Sequence, residues 1–195
     1  MLAAVILSGG ASSRMGAPKA LLAYQGRPFL EHLLEVIVHP QIGVRRVVLG
    51  ADAEPIAKAI HLKADEIVIN EDWEKGQLTS IQAALRSLPS GTEGILLCLI
   101  DHPLISASLI QELVERFYKS GKPIVLPVYE GRRGHPLIFA ASLYDELLRA
   151  PLETGARAVV WAHSREVEEV QTNEEGCVLN LNDPETMNKA FGGAD

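Results

Sequence analysis

A short apolar run that stops at a glycine-rich loop begins the chain, and this pairing most limits the folds open to it. Residues 3–7, AAVIL, have the length and β-branching of a buried strand. Residues 8–19 then read SGGASSRMGAPK, with glycines that permit tight turns and close approach of the backbone to a ligand. Arg14 and Lys19 add positive charge. Backbone N–H groups and cations at the end of a first strand together suit a polyphosphate.

Two familiar phosphate-binding motifs do not match this loop. A P-loop needs four residues between its first glycine and a Gly-Lys-Ser/Thr run, but five separate Gly10 from Gly16, and Ala17 and Pro18 precede the lysine. The dinucleotide fingerprint G-x-G-x-x-G also fails because Gly9 and Gly10 are adjacent, which disfavours a redox enzyme. A plain surface loop rich in turn residues is the remaining alternative.

Composition indicates one globular domain. The 195 residues are enough to bury a substantial core, and we expect a single domain over 1–195. A net charge of −7 argues against a nucleic-acid-binding surface. Cys98 lies in an apolar run and is expected to be a buried free thiol, which fits a reducing cytoplasm. We expect no signal peptide and no membrane association, because no apolar stretch approaches the roughly 20 residues that span a bilayer.

Strand and helix patterns alternate along the first third of the chain. Helical spacing over 29–37 is followed by a strand at 44–49, a helix at 53–60 and a strand at 66–69. This β-α-β-α-β order predicts an α/β fold, with a parallel sheet and helices on its faces. Further predicted elements are a helix over 78–88, a strand over 94–100, a helix over 107–118, a strand over 123–127, a helix over 142–149, a strand over 166–170 and a final helix.

Residues 70–80, NEDWEKGQLTS, follow the third predicted strand, where open α/β sheets place ligands. Gly76 permits a sharp turn before the next helix. Gln77, Thr79 and Ser80 are uncharged hydrogen-bonding groups that suit the edge of a nucleobase. Capping of the helix by Thr79 or Ser80 is an equally good interpretation.

An acidic residue ends the most apolar predicted strand. Residues 94–100, GILLCLI, lead directly into Asp101. A carboxylate at the end of a central strand is costly to bury without a partner, and a metal ion is a good one. A helix cap and a solvated loop acid are the alternatives.

The loop at 129–136, YEGRRGHP, places an imidazole between a glycine and a proline, beside two arginines. The backbone around His135 therefore has little freedom, and Arg133 lies close in sequence. This pattern favours a site for an anionic second substrate, and a plain turn is the alternative.

Taken together, these segments resemble the molybdenum-cofactor nucleotidyltransferases. The first loop matches the family pattern L-A-[AG]-G-x-S-x-R-M-G-x-x-K, except that Ser8 replaces a small alanine. Arg133, Gly134, His135, Pro136 and Phe139 match G-[RK]-R-G-H-P-x-x-F, a pattern typical of the cytidylyltransferase branch. Asn70, Trp73, Gly76 and Ser80 match the family segment N-x-x-W-x-x-G-x-x-x-S, and Asp101 matches D-x-P. Residues 155–157 match a further family segment, although the Gly-Asp pair that precedes it in the family is missing here. Asn180 and Asn182 match the two asparagines of the closing N-I-N-T-P-E-D.

The resemblance implies a single-domain three-layer α/β/α Rossmann-like nucleotidyltransferase fold, with a mostly parallel sheet and one reversed strand. It also implies three kinds of site residue. Arg14, Lys19 and Asp101 would be catalytic, Asp101 and Asn182 would hold Mg²⁺, and Arg133 and His135 would bind the acceptor. Nucleotide-binding residues implied by the family are Leu7, Ser8, Gly9, Gly10, Arg14, Lys19, Asn70, Gly76 and Ser80.

The implied reaction is Mg²⁺-dependent transfer of a nucleoside monophosphate from a nucleoside triphosphate, with CTP preferred, to the phosphate of molybdopterin, releasing pyrophosphate. GTP as donor and a sugar phosphate as acceptor are alternatives of the same chemistry. A non-catalytic nucleotide or cofactor sensor is an alternative of a different class. A molybdoenzyme or its chaperone is a candidate partner on the same grounds.

Overall fold

A central eight-stranded sheet organises the molecule in the computed structural model, which describes residues 1–11 and 16–191. Strands in chain order are β1 (Leu2–Ser8), β2 (Ala23–Tyr24), β3 (Arg27–Pro28), β4 (Ile42–Leu49), β5 (Ile67–Ile69), β6 (Gly94–Leu99), β7 (Ile124–Tyr129), β8 (Arg132–Arg133), β9 (Leu137–Ala140) and β10 (Val167–Gln171). Helices are α1 (Phe29–Val36), α2 (Ala53–Ile60), α3 (Gln77–Arg86), α4 (Ala107–Ser120), α5 (Tyr144–Arg149), α6 (Arg157–Ala162) and α7 (Pro184–Phe191).

The sheet is mostly parallel, as predicted. Its strands lie in the order β10-β7-β9-β6-β1-β4-β5, and β8 pairs with β7 off this path. Strand β9 runs antiparallel to both of its neighbours, β6 and β7, and every other adjacent pair on the path is parallel. The main path therefore contains the one reversed strand that the family resemblance implies.

Helices cover both faces of the sheet, so all seven residues of β1 are buried. Side chains of a strand alternate between the two faces. Ala4 and Ile6 pack with α1, α2 and α4 on one face, whereas Ala3 and Val5 pack with α3, α5 and α6 on the other. A central parallel strand covered on both faces reads as a continuous apolar run, as residues 3–7 do. The three-layer α/β/α architecture is thereby confirmed.

Most element predictions agree with the structure to within two or three residues. Helix α2 covers the predicted 53–60, and α1 begins directly after Pro28. A short hairpin of β2 and β3 was not predicted, because each strand is only two residues long. The thiol of Cys98 is buried and free, and burial raises its pKa to about 12. None of the helices in the described ranges is long and apolar enough to cross a membrane.

Phe139 tests the packing around the reversed strand. It is fully buried on β9, within the core that lies between the sheet and α3. We expect Phe139→Ala to lower the free energy of unfolding by about 3–5 kcal/mol, because it removes a large apolar contact and leaves a cavity. Urea denaturation measures this loss. Val38→Ala is the matched control, since Val38 is 72% exposed and its change should stay within about 0.5 kcal/mol. Similar losses in both variants would contradict the packing described.

Candidate active site

A cavity of about 360 Å³ opens at the edge of the sheet where the parallel strands β1 and β6 end. Trp73, Glu74 and Gln77 form part of its wall. It gathers most of the residues predicted to contact the nucleotide, from three separate stretches of the chain. Those residues are Leu7, Gly9, Gly10, Lys19, Gly76 and Ser80, and the predicted metal ligand Asp101 lies in the same wall.

Backbone hydrogen bonds hold the first loop at this edge. The Leu7 carbonyl accepts from the N–H of Ile100, and the Gly9 carbonyl accepts from the N–H of Ala51. The loop therefore begins between the ends of β6 and β4, and it is hydrogen-bonded to the residues that follow each strand. Ser8 is buried and is not among the residues that line the cavity. Arg14 lies outside the described residues.

Asn70 does not line the cavity but supports its wall from behind. Its side-chain amide donates to the hydroxyls of Thr79 and Ser80, each at 2.9 Å, and its carbonyl oxygen accepts from the N–H of Asp72 at 3.1 Å. These bonds use both N–H groups of the amide and leave neither one unsatisfied, which matters because Asn70 is buried. The residue predicted to touch the nucleotide instead fixes the Ser80 hydroxyl, which does line the cavity.

Lys19 and Asn182 meet directly, although 163 positions separate them in the chain. The Lys19 ammonium donates to the side-chain carbonyl oxygen of Asn182 at 2.5 Å. Asn182 was predicted to be the second metal ligand. The side-chain oxygen of Asn182 instead accepts a hydrogen bond from the ammonium of Lys19, the lysine that lines the cavity.

Asp101 is the carboxylate best placed to hold a divalent cation. No hydrogen bond or ion pair joins its carboxylate to any residue within 1–11 or 16–191, whereas its backbone carbonyl accepts from the N–H of Leu181 at 2.8 Å. Those ranges contain no cluster of three or more His, Cys, Asp or Glu side chains suited to a metal. One carboxylate nevertheless fits Mg²⁺, which commonly takes one or two protein carboxylates and completes its shell with phosphate oxygens and water.

A second cavity of about 330 Å³ adjoins the first at Gln77, which lines both. Polar groups at its wall include His135, Glu153 and Arg157. The rest of its wall combines polar and apolar groups. The apolar side chains are Leu78, Ile81, Leu97, Leu137, Phe139, Leu152 and Val160.

Arg133 does not reach this second cavity, contrary to its predicted contact with the acceptor. It lies on β8 and its guanidinium forms an ion pair with Glu169 of β10, with 2.7 Å between the nearest nitrogen and oxygen. Arg157, at the start of α6, is the guanidinium that lines the cavity. None of the described side chains pairs with it.

His135 is held tightly at the back of the second cavity. The backbone N–H of His135 donates to the Cys177 carbonyl at 2.7 Å. A Cβ on Gly134 would clash with that same carbonyl, so only glycine fits at position 134. Burial, and to a lesser extent the neighbouring His102, lowers the pKa of His135 to about 3. Its Nδ1 is buried and has no hydrogen-bond partner among the residues that the structure describes. The imidazole is therefore neutral at neutral pH.

His102 is a site residue that sequence reasoning did not assign to any chemistry. It is only 4% exposed, and its ring lies 5.1 Å from that of His135. Burial lowers the pKa of His102, and this outweighs the opposing effect of the adjacent Asp101 carboxylate. The sequence feature that could have identified His102 is its position directly after Asp101, at the end of a central strand.

A family model described as the MobA-like NTP transferase domain matches residues 4–167. The chain belongs to this family.

Relatives in the family carry different names. The chain is 32% identical over 147 residues to nicotine blue oxidoreductase of Paenarthrobacter nicotinovorans, covering 71% of each chain. It is 29% identical over 198 residues to molybdenum cofactor guanylyltransferase of Rhizobium meliloti, covering 96% of this chain and 89% of the relative. The crystal structure of Rv0371c from Mycobacterium tuberculosis superposes with a TM-score of 0.82 at 27% identity, covering 98% and 97% of the two chains. A structure of Rv0371c in complex with manganese gives 0.77 at 22% identity, covering 99% of each.

The pKa of His135 predicts a pH dependence of stability. An unfolded histidine titrates near 6.5, so between about pH 6.5 and about pH 3 the unfolded chain binds more protons than the folded one. Stability should therefore fall as the pH decreases through this window, by up to about 1.4 kcal/mol per pH unit from this group. Urea unfolding of the metal-free protein at about pH 7 and about pH 5 measures the loss.

His135→Asn is the control for that measurement, since it removes the titrating imidazole but leaves the carboxylates and His102 in place. We expect the variant to lose less stability than the unsubstituted protein over the same pH interval. Equal losses would mean that His135 is protonated in the folded state.

Proposed function

We propose that the protein transfers a nucleoside monophosphate from a nucleoside triphosphate to the phosphate of a molybdopterin-type acceptor, releasing pyrophosphate. The observation that carries this proposal is that two cavities share Gln77, one containing Lys19 and Asp101 and the other His135 and Arg157. A nucleotide in the first cavity and an acceptor in the second would present their phosphates to each other at this junction. Holding two reactants in such proximity supplies a large part of the rate enhancement.

The chain's own residues supply positive charge and orientation. Lys19, together with Arg14, would neutralise the triphosphate and the charge that develops at the α-phosphate. The Asp101 carboxylate would hold Mg²⁺ together with phosphate oxygens of the substrate, and the manganese complex of Rv0371c supports a divalent cation in this fold. The bound cation supplies further charge neutralisation at the phosphates.

The walls of the second cavity suit an acceptor that has both a ring system and polar groups. Apolar side chains from α3, β6 and β9 can pack against the ring, while polar groups share the same wall. Arg157 and His135 provide the polar contacts, and the Arg157 guanidinium suits an anionic group on the acceptor. In this proposal Arg157 replaces Arg133 as the residue that binds the acceptor's charge.

Two donors are supported by different observations. The Gly-His-Pro segment around His135 resembles the cytidylyltransferase branch and favours CTP. The relative from Rhizobium meliloti is named a guanylyltransferase and favours GTP. Glu74 at the cavity wall can accept a hydrogen bond from the exocyclic amine of cytosine or guanine, a group that uracil lacks.

Pyrophosphate release tests this proposal. We expect release with CTP or GTP, in the presence of Mg²⁺ and molybdopterin, to exceed release with UTP or without acceptor. Lys19→Ala and Asp101→Asn should each lower kcat by about 100-fold, because each removes a group that offsets phosphate charge. Lys58→Ala, which removes an exposed lysine of α2, is the matched control and should leave the rate unchanged. Undiminished release in Lys19→Ala would contradict the proposal.

Binding without turnover would point to the sensor instead. The uncharged pair Asn180 and Asn182 is the feature that favours a nucleotide-binding protein with a weak metal site. Tight binding of one nucleoside triphosphate by calorimetry, with no pyrophosphate released for any acceptor, is the result that this alternative predicts.

The similarity to nicotine blue oxidoreductase supports a second candidate function, a redox reaction that uses a nicotinamide dinucleotide. Titration with a reduced nicotinamide dinucleotide, followed by its fluorescence, separates the two functions. The nucleotidyltransferase proposal predicts no saturable binding, and saturable binding with oxidation in the presence of an aromatic acceptor would favour the oxidoreductase.

A further inference from the structure

Residues 174–182, here called the C-terminal strap, cross the carboxyl edge of the sheet from the acceptor side to the nucleotide side. At one end, Glu174 accepts hydrogen bonds from the backbone N–H and hydroxyl of Ser106, the N-cap residue of α4. At the other end, Asn182 accepts from Lys19. The strap thus joins the N-terminus of α4 to Lys19, the lysine of the first cavity.

Between these ends, the strap bonds to both halves of the site. The Cys177 carbonyl accepts from the N–H of His135 at 2.7 Å, on the acceptor side. The Leu181 N–H donates to the Asp101 carbonyl at 2.8 Å, on the nucleotide side. A shift of the strap would therefore move Lys19 and His135 relative to each other.

His102 lies beneath the strap. Its Nδ1 is 3.4 Å from the Gly176 carbonyl oxygen, and the Asn180 side chain interacts electrostatically with its ring. The same ring lies 5.1 Å from that of His135, measured between ring centroids. Because His102 is buried directly after Asp101, it is anchored to the central strand β6.

We infer that His102 is a positioning residue, which fixes the strap over the sheet and thereby sets the distance between the triphosphate held by Lys19 and the acceptor beside His135. This inference rests on the proposed function for its kinetic consequence. His102 does not line either cavity, so its removal should leave nucleotide affinity intact and slow the reaction of bound substrates. Misplacement of reacting groups by about 1 Å can cost about 100-fold in rate.

Two substitutions at His102 separate hydrogen bonding from packing. His102→Phe keeps a ring against His135 but removes the ring nitrogens, and with them the hydrogen bond to Gly176 in the strap. His102→Asn loses the ring but keeps an N–H at the position of Nδ1, facing the Gly176 carbonyl. We expect His102→Phe to lower kcat by about 100-fold with KM for the nucleotide within about threefold, and His102→Asn to recover most of kcat.

Hydrogen exchange of the Leu181 amide provides a readout that does not depend on the reaction. We expect exchange about tenfold faster than in the unsubstituted protein for His102→Phe and close to unchanged for His102→Asn. If His102→Phe does not fold, Glu174→Ala loosens the strap at its far anchor and should raise exchange at Leu181 and lower kcat in the same direction.

Equal losses of kcat in the Phe and Asn variants would overturn the inference, because packing of the ring would then explain the effect. Unchanged exchange at Leu181 in His102→Phe would also overturn it. If the unsubstituted protein releases no pyrophosphate with any substrate pair, the proposed function has failed, and the attachment of the strap by His102 still stands or falls on the exchange result.

Discussion

The burial of strand β1 on both faces is the constraint on which the rest of the structure depends. A parallel strand covered by helices on each side is apolar along nearly its whole length, as β1 is up to Ser8, so ligand-binding groups are found where the strand ends. The chain meets this constraint by changing at residue 8 from an apolar run to a glycine-rich loop. Neighbouring strands β4, β5 and β6 end at the same edge, which brings the loops that follow them around one cavity.

The two halves of the site are built by different means. The nucleotide half comes from loops that directly follow parallel strands, and its positions follow from the sheet order. The acceptor half depends on the reversed strand β9, which turns the chain back so that His135 precedes it at the same edge. The C-terminal strap then ties the halves together through backbone hydrogen bonds to His135 and Asp101. Neutral, buried imidazoles lie at this joint, where a charged ring would be costly to desolvate.

Local patterns in the sequence predicted the three-layer fold and the edge of the sheet that carries the site. Asp101 could be placed because a single strand and its end determine where it lies. The contacts of Asn70, Arg133, Asn182 and His102 could not be predicted, since each is set by a partner distant in sequence or by burial. Asn70 donates hydrogen bonds to two hydroxyls of α3, and Arg133 forms an ion pair with Glu169. Asn182 accepts a hydrogen bond from Lys19. Motif matching assigns Asn70, Arg133 and Asn182 to a ligand because they are polar and near the site, whereas the structure pairs each of them with another side chain.

The central claim is that the α-phosphate of the nucleotide is transferred at the junction of the two cavities. Transfer of radioactive label from nucleotide to acceptor tests it most directly, with the label placed at the α-phosphate in one reaction and at the γ-phosphate in another. The account predicts that the α-label appears in the acceptor product and the γ-label in pyrophosphate. Appearance of the γ-label on the acceptor would contradict it, because the protein would then be transferring a phosphoryl group instead of a nucleotide.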